Sequence, residues 1–309
     1  RQAKRIPRIY RQKVWVVLHF ARVSLGHRSS SDQPKEMLMS SPRHYRCEEK
    51  VVQLLEKKKL SLNALRLVHA TYHHLDNHPG WTPSHMKLTD KFGNERICTA
   101  LCSILCATTG SPGANDISMI RQGMRDVEDA DLFRVLELNG RRLRFRYSSA
   151  LADATTHYTK AKFAILDCGI IAQLRSPWQI EFYTRAEMVQ RQRHPMFYLP
   201  RVCSEKEPWS ETKRRWFSAA SRVGDILGHH YVIIPELDEL CEHVARVKVK
   251  IVHQRTQWSE GRLFPRRAAE PVSIVANGKS QTLTRQELTR RKTWTLVAGP
   301  VPDATGPVQ

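Results

Sequence analysis

An Asn139-Gly140 dipeptide between two β-rich runs is the feature that most constrains the fold of this chain. Asn-Gly in such a place is a strong hairpin signal, because both central residues of a type I′ turn need a positive φ. On the return strand arginines alternate with large apolar residues, over Arg142, Leu143, Arg144, Phe145, Arg146 and Tyr147. Alternation with period two puts the two kinds of side chain on opposite faces. The sequence therefore predicts a hairpin that is anchored on one side and cationic on the other.

The segment ahead of the hairpin has the pattern of a helix-turn-helix. Residues 84–92 form a first predicted helix, which follows Pro83 and ends at a glycine. Residues 95–107 form a second, whose apolar stripe leaves another face with Arg96, Thr99 and Ser103. Residues 117–130 are predicted to be a short helix that leads into the hairpin. Two helices, a glycine turn and a cationic hairpin indicate a winged helix-turn-helix, a domain that usually binds duplex DNA.

This reading assigns roles to the basic residues. Arg96, Thr99 and Ser103 are expected to enter the major groove and read base edges. On the wing, phosphate or minor-groove contacts are expected from Arg141, Arg142 and Arg144.

A second module of similar type begins near Ser210. A helix is predicted from there to Gly228, followed by strand-like runs at 230–235 and 246–254. The outward face of this helix is polar and basic, with Lys213, Arg214, Arg215, Ser218 and Arg222. These residues are expected to do the corresponding work further along the DNA site.

The fold class expected from these patterns is α+β, with two winged helix-turn-helix domains in tandem, mostly helical with β-hairpin wings. Residues 1–47 are predicted to be a basic, disordered lead and 48–194 the first winged helix. Residues 195–258 are predicted to be the second, winged-helix-like domain. Residues 259–309 are an unassigned extension that carries one further hairpin signal, Asn277-Gly278.

The charge of the chain predicts a polyanionic partner. With a formal net charge of +20, nucleic acid is the first expectation and an acidic membrane surface the second. No apolar run approaches the length of a membrane-spanning helix, so no membrane partner is expected. The first 31 residues lack acids, a composition that fits a disordered basic arm or an organellar transit peptide.

Seven scattered cysteines fit reduced thiols in a cytoplasmic protein. Cys98, Cys102 and Cys106 recur every four residues, which predicts buried packing along one helix rather than zinc ligands. The histidines between His69 and His78 have a helical spacing that does not match a metal-dependent nuclease. No catalytic residue, cofactor or metal is expected.

In their order, these features resemble the tandem winged-helix replication initiators (Rep proteins) of iteron-containing bacterial plasmids. The matching stretch runs from about Leu62 to Val252, and its landmarks of the L-x-S…Y kind are Leu174, Ser176 and Tyr183. The resemblance implies binding to direct repeats at an origin in the bacterial cytoplasm, with nucleoid association and local duplex opening. It also implies recruitment of host initiator and helicase proteins, and a switch between a homodimer and an origin-binding monomer.

Two other functions stay open on the sequence alone. A winged-helix transcriptional regulator would share the DNA-binding pattern, although the chain offers no identifiable ligand-sensing domain. A basic RNA-binding or organellar protein would share the charge and the acid-free start. The RNA class predicts exposed aromatic residues for stacking on unpaired bases, whereas most aromatics here fall in apolar stripes.

Overall fold

The computed structural model describes residues 43–78, 96–109, 117–155, 162–200, 208–238, 244–252, 272–276 and 279–283. Together they form a mixed α+β fold. Its helices are α1 (Glu49–Lys58), α2 (Leu62–Asn77), α3 (Cys102–Thr109), α4 (Ser118–Val127), α5 (Ser149–Ala154), α6 (Cys168–Gln173), α7 (Pro177–Val189) and α8 (Trp209–Leu227). Its strands are β1 (His44–Glu48), β2 (Cys98–Leu101), β3 (Phe133–Asn139), β4 (Arg142–Tyr147), β5 (Phe163–Asp167), β6 (Met196–Tyr198), β7 (His230–Leu237), β8 (Val244–Val252), β9 (Val272–Ala276) and β10 (Lys279–Leu283). None of these helices is long and apolar enough to cross a membrane.

The predicted hairpin is confirmed, as β3 and β4 of a three-stranded antiparallel sheet with the order β2-β4-β3. Its register places Asn139 opposite Arg142, so the loop residues are Gly140 and Arg141. The turn is therefore centred one residue later than the sequence predicts. Gly140 has a φ of +57°, and a glycine with positive φ at the first loop position is typical of a type II′ turn. Arg141 at the second loop position does not have the positive φ that a type I′ turn also needs there, so the predicted type I′ turn is wrong.

The single helix predicted over residues 95–107 is wrong in its first half. Cys98–Leu101 is strand β2, which pairs along β4, and α3 begins only at Cys102. Pairing with the edge of β4 outweighs the local helical period, because the strand satisfies backbone groups that β4 would otherwise leave open. Cys98 consequently lies on a strand and not on the helix of Cys102 and Cys106, although all three are buried as predicted. The helix predicted over residues 84–92 lies outside the described residues.

Helix α2 is the central helix of the first half. The Ser61 hydroxyl accepts a hydrogen bond from the Ala64 amide at 3.2 Å and so caps its first turn. Residues 64–75 are all buried, because α2 packs against β1, α3, α4, α6 and α7. Tyr72 stacks on Tyr147 of β4 with ring centroids 5.1 Å apart, which ties the helix to the hairpin. The apolar face of the hairpin thus forms one wall of this core, as its alternation predicts.

Strands β1 and β5 form a separate two-stranded antiparallel sheet. Its register joins residues far apart in the chain, since Glu48 lies opposite Phe163. β1 lies almost wholly within the segment predicted to be a disordered lead. The described fold therefore starts at least four residues before the predicted boundary at residue 48, through a pairing that local composition does not indicate.

Helix α7 joins the two halves through one continuous core. It begins as predicted, with Pro177 in its first turn and the Ser176 hydroxyl accepting from the Gln179 amide at 3.3 Å. One side packs on α1, α2 and β5, and another packs on α8 and β6. Because both sides are buried, α7 lacks the single apolar stripe of a surface helix. Phe182 marks the second side, with its ring 4.8 Å from that of Tyr231 and 5.2 Å from that of Phe197.

The second sheet has the order β10-β9-β7-β8-β6. Helix α8 packs against α7 and against the sheet. Its fully buried Trp216 lies against Trp178 and Phe182 of α7. The helix begins at Trp209, one residue before the predicted start, and ends as predicted at Gly228, whose φ is +65°.

The C-terminal hairpin signal is confirmed, because β9 and β10 pair antiparallel with Ala276 opposite Lys279; Asn277 and Gly278 lie outside the described residues. Strand β9 also pairs with β7 over residues 231–233. Part of the extension left unassigned by the sequence thus completes the second sheet.

Candidate nucleic-acid interface

Helix α4, directly in front of the hairpin, presents a basic face to solvent. Ile120 and Val127 are buried, whereas Ser118, Arg121 and Arg125 are exposed. The N-terminal end of a helix also carries a partial positive charge from its unpaired amides, which suits contact with phosphate. The sequence treated this helix only as a lead into the hairpin and so missed both arginines. Its position immediately before a cationic hairpin was the available signal.

A close approach to α2 fixes the position of α4. At Gly123 an added Cβ would lie only 2.7 Å from the Asn63 carbonyl oxygen and 3.0 Å from the Leu67 Cβ. A side chain there would meet the backbone of α2, so glycine permits the two helices to pack at this distance. This close packing fixes the distance between α4 and α2, and with it the position of the exposed side chains of α4.

A chain of hydrogen bonds runs from the start of α2 to the exposed face of α4. The Ser61 hydroxyl donates to Asp126 Oδ2. Asp126 Oδ1 accepts from the Gln122 Nε2 at 2.6 Å, and Gln122 Oε1 accepts from the Arg125 Nη2 at 2.8 Å. The carboxylate of Asp126 can only accept, so it orients the NH₂ group of Gln122 toward itself and the carbonyl of Gln122 toward Arg125.

The hairpin is cationic, but its arginines differ in their surroundings. Arg141 and Arg142 are exposed near the turn. Arg144 Nη1 lies 2.9 Å from the Glu137 Oε2 across the strands, in an exposed ion pair. Arg146 is only 8% exposed, and its Nη1 donates to the Arg96 carbonyl at 3.4 Å. Of the three alternating arginines of the predicted cationic face, Arg142 and Arg144 are therefore exposed and Arg146 is buried. Arg141 adds a further exposed cation at the turn.

The three residues predicted to read bases in the first half do not share a helix face. Arg96 precedes β2, Thr99 lies on β2 opposite Arg144, and Ser103 lies on α3. All three are exposed, but they belong to three different segments. Their grouping depended on a single helix over 95–107, and it fails because Cys98–Leu101 of that segment is strand β2.

The residues predicted on the second helix all lie on α8 and share its outer side. Lys213, Arg214, Arg215 and Ser218 are exposed, and Arg222 is partly exposed. Arg214, Ser218 and Arg222 follow one another at four-residue steps, which aligns them along the helix. The guanidinium carbon of Arg215 lies 5.5 Å from the centre of the Trp178 ring, a cation–π distance that draws it toward α7. Glu211 and Asp225 reduce the net charge at the two ends of this face.

The histidines of α2 belong to the core of the first half. Burial lowers the pKa of His69 to about 4, and the hydroxyl of Tyr45 lies 2.8 Å from its Nδ1. Burial, with smaller contributions from His78 and His73, also lowers the pKa of His74 to about 4. Neutral, buried imidazoles of this kind pack rather than titrate at neutral pH. Among the described residues no group of three or more side chains could hold a metal ion.

Two carboxyl groups have raised pKa values, in contrast to the lowered pKa values of the histidines. Burial raises the pKa of Glu48 to about 7, although Arg46 Nε lies 3.3 Å from its Oε1 and acts in the other direction. Burial likewise raises the pKa of Glu187 on α7 to about 7. Because burial is the main cause of both pKa shifts, each shift makes the stability of the fold depend on pH.

Sequence comparisons find no matching family model and no match among curated proteins. Among solved structures, the fold is similar to that of the Pi initiator protein, in a crystal structure of that protein in complex with iteron DNA. The TM-score is 0.50 and the identity 10%, and the match covers 70% of this chain and 99% of the Pi initiator chain. At this identity the similarity concerns the fold alone, a mixed α+β arrangement.

Proposed function

We propose that this chain binds double-stranded DNA through two winged helices in tandem and acts as a plasmid replication initiator. One observation carries the proposal. In each half a strand precedes a helix and a hairpin, and that strand pairs with the second strand of the hairpin, giving the orders β2-β4-β3 and β6-β8-β7. The helix in front of each hairpin, α4 or α8, then takes the position of a recognition helix.

In this proposal α4 is the recognition helix, in place of the helix that the sequence analysis predicted over residues 95–107. Arg121 and Arg125 face the major groove, while Arg141 and Arg142 at the hairpin tip contact phosphate or reach into the minor groove. In the second half, the groove contacts come from Arg214, Ser218 and Arg222. Because α7 buries a face in each half, both reading helices are attached to one core, which favours a site read by both halves of one chain.

The similarity in fold to the Pi initiator supports the narrower part of the proposal. That protein is seen with iteron DNA, so we infer that directly repeated duplex sites are the ligand here too. We further propose that the chain works by binding rather than catalysis, in the bacterial cytoplasm in association with the nucleoid. Host initiator and helicase proteins, and a second copy of the chain, complete the proposed set of partners.

The test is a binding selection from random and genomic duplexes at two salt concentrations. The wild-type chain should enrich directly repeated sites of about twenty base pairs, since two modules each cover about one helical turn. Replacing both Arg121 and Arg125 with Ala should remove part of the consensus, because residues that read base edges determine specificity. The double variant Arg175→Ala with Arg193→Ala, which also removes two exposed arginines but none from the proposed faces, is the charge-matched control.

The outcomes separate the candidate functions. A consensus without repetition would favour a transcriptional regulator. A salt-sensitive pool without any consensus, or preference for single-stranded RNA, would contradict the proposed function.

A further inference from the structure

The side chain of Gln122 lies at the edge of the exposed face of α4, where a glutamine would ordinarily read adenine. A free carboxamide contacts adenine with its NH₂ and its carbonyl together. Here both ends of the amide are engaged within the protein, because Nε2 donates to Asp126 and Oε1 accepts from Arg125. The structure thus gives Gln122 two partners that compete with a base.

The same contacts hold Arg125 for a different base. An arginine has five N–H donors in a planar fork, and its bond to Gln122 uses one of them. Arg125 is exposed, and its bond to Gln122 restricts the orientation of the guanidinium. A fork held in this way matches the O6 and N7 acceptors of guanine, the commonest specific contact in the major groove.

We propose that α4 reads guanine at two positions, through Arg121 and Arg125, and that Gln122 positions Arg125 rather than reading a base. The inference rests on the proposed function, and it names the sequence that this helix recognises. Four residues along an α-helix rise about 6 Å, and successive base pairs along DNA are about 3.4 Å apart. The two guanines therefore lie about two base pairs apart.

The start of α2 belongs to the same arrangement. Asp126, which orients the Gln122 amide, also accepts from the Ser61 hydroxyl. Gly123, one residue after Gln122, packs against the Asn63 carbonyl two residues after Ser61. The loop between α1 and α2 therefore contributes a positioning residue, Ser61, to a base-reading surface that it does not itself form.

The experiment is the duplex selection repeated with single variants of α4. Arg121→Ala and Arg125→Ala should each abolish the guanine preference at one position, and the two positions should lie about two base pairs apart. A good bidentate contact discriminates about 5- to 150-fold against the wrong base, so each loss should fall in that range. Gln122→Ala should weaken the preference at the Arg125 position alone.

Variants of Asp126 and Ser61 separate a positioning role from a purely structural one, because only a positioning role predicts a change in base preference. Asp126→Ala releases the NH₂ of Gln122, so adenine should be gained at or beside the Arg125 position. Ser61→Asp keeps an acceptor that caps α2 but cannot donate to Asp126, whereas Ser61→Thr keeps both functions. Ser61→Asp should therefore weaken the guanine preference several-fold while Ser61→Thr leaves it intact, with matched unfolding curves as the check on stability.

Three results would overturn the inference. Loss of an adenine preference at a third position in Gln122→Ala would mean that Gln122 reads a base itself. An equal loss of affinity for all duplexes in both arginine variants would mean phosphate contact, and it would leave the proposed DNA-binding function standing. Absence of any consensus for the wild-type chain would remove that function together with the inference.

Discussion

Substitution of Gly123 by alanine should change the free energy of unfolding through two opposing effects, helix propensity and packing against α2. In an exposed helix the change stabilises by about 1 kcal/mol, because glycine is the weaker helix former. In this fold the new Cβ would lie 2.7 Å from the Asn63 carbonyl oxygen, and backbone cannot rotate away as a flexible side chain can. Overpacking of this kind costs about 1–3 kcal/mol. We expect net destabilisation of about 1 kcal/mol, within a range of roughly 0–2 kcal/mol.

The sign of the change in the free energy of unfolding is the test, measured by urea denaturation of the full chain. Gly123→Ser should be at least as destabilising as Gly123→Ala, because the added hydroxyl enlarges the clash. Arg121→Ala on the exposed side of the same helix is the control, with an expected effect on stability within about 0.5 kcal/mol. If Gly123→Ala stabilises by about the full propensity value, α2 and α4 do not approach as closely as the structure indicates. Arg125 would then not be held by close packing of α4 on α2.

The remaining predictions concern buried charges. Arg185 makes a two-point ion pair with Glu56, at 2.6 and 2.5 Å, so Arg185→Met should destabilise by about 3–5 kcal/mol; recovery in the double variant with Glu56→Leu checks this in urea. His69 and His74 should lower the free energy of unfolding of the protein as pH falls from 6.5 toward 4, because over this range their imidazoles take up protons only in the unfolded chain. The raised pKa of Glu48 acts oppositely between pH 4.5 and 7. Glu48→Gln should therefore steepen the rise of the unfolding free energy with pH, between pH 4.5 and 6.5, by about 1.4 kcal/mol per pH unit. If the slope is the same in the variant and the wild type, the Glu48 carboxyl is not neutral in the folded chain over this range.

The features that sequence predicted correctly are those with a local cause. Ser176 and Pro177 start α7, and Gly228 ends α8, because capping and left-handed backbone depend on the residue in place. The alternation in β4 predicted which side of the hairpin is buried, since the period of a strand fixes its faces. Arg146 was the exception, because a carbonyl of a distant segment accepts from it.

The features that sequence missed depend on partners far along the chain. The spacing of Cys98, Cys102 and Cys106 fits a helix, and nothing in those residues indicates that β4 offers an open edge to the first of them. The two arginines of α4 were passed over for a related reason. Once 95–107 was assigned as the second helix of a helix-turn-helix, the following helix had no role left. Correcting one strand therefore moves the candidate reading surface by one helix.

Helix α7 shows that the boundary between the two modules could be predicted only in part from the sequence. Its residues were predicted to end the first domain, yet Phe182 packs on Phe197 and Tyr231 of the second half while Arg185 binds Glu56 of the first. A helix buried on both sides cannot tilt for one half without disturbing the other, because interiors are close-packed. A change on one side of α7, such as Phe182→Ala, is therefore expected to lower the stability of both halves in a single transition. Two separate unfolding transitions would show instead that each half carries its own core.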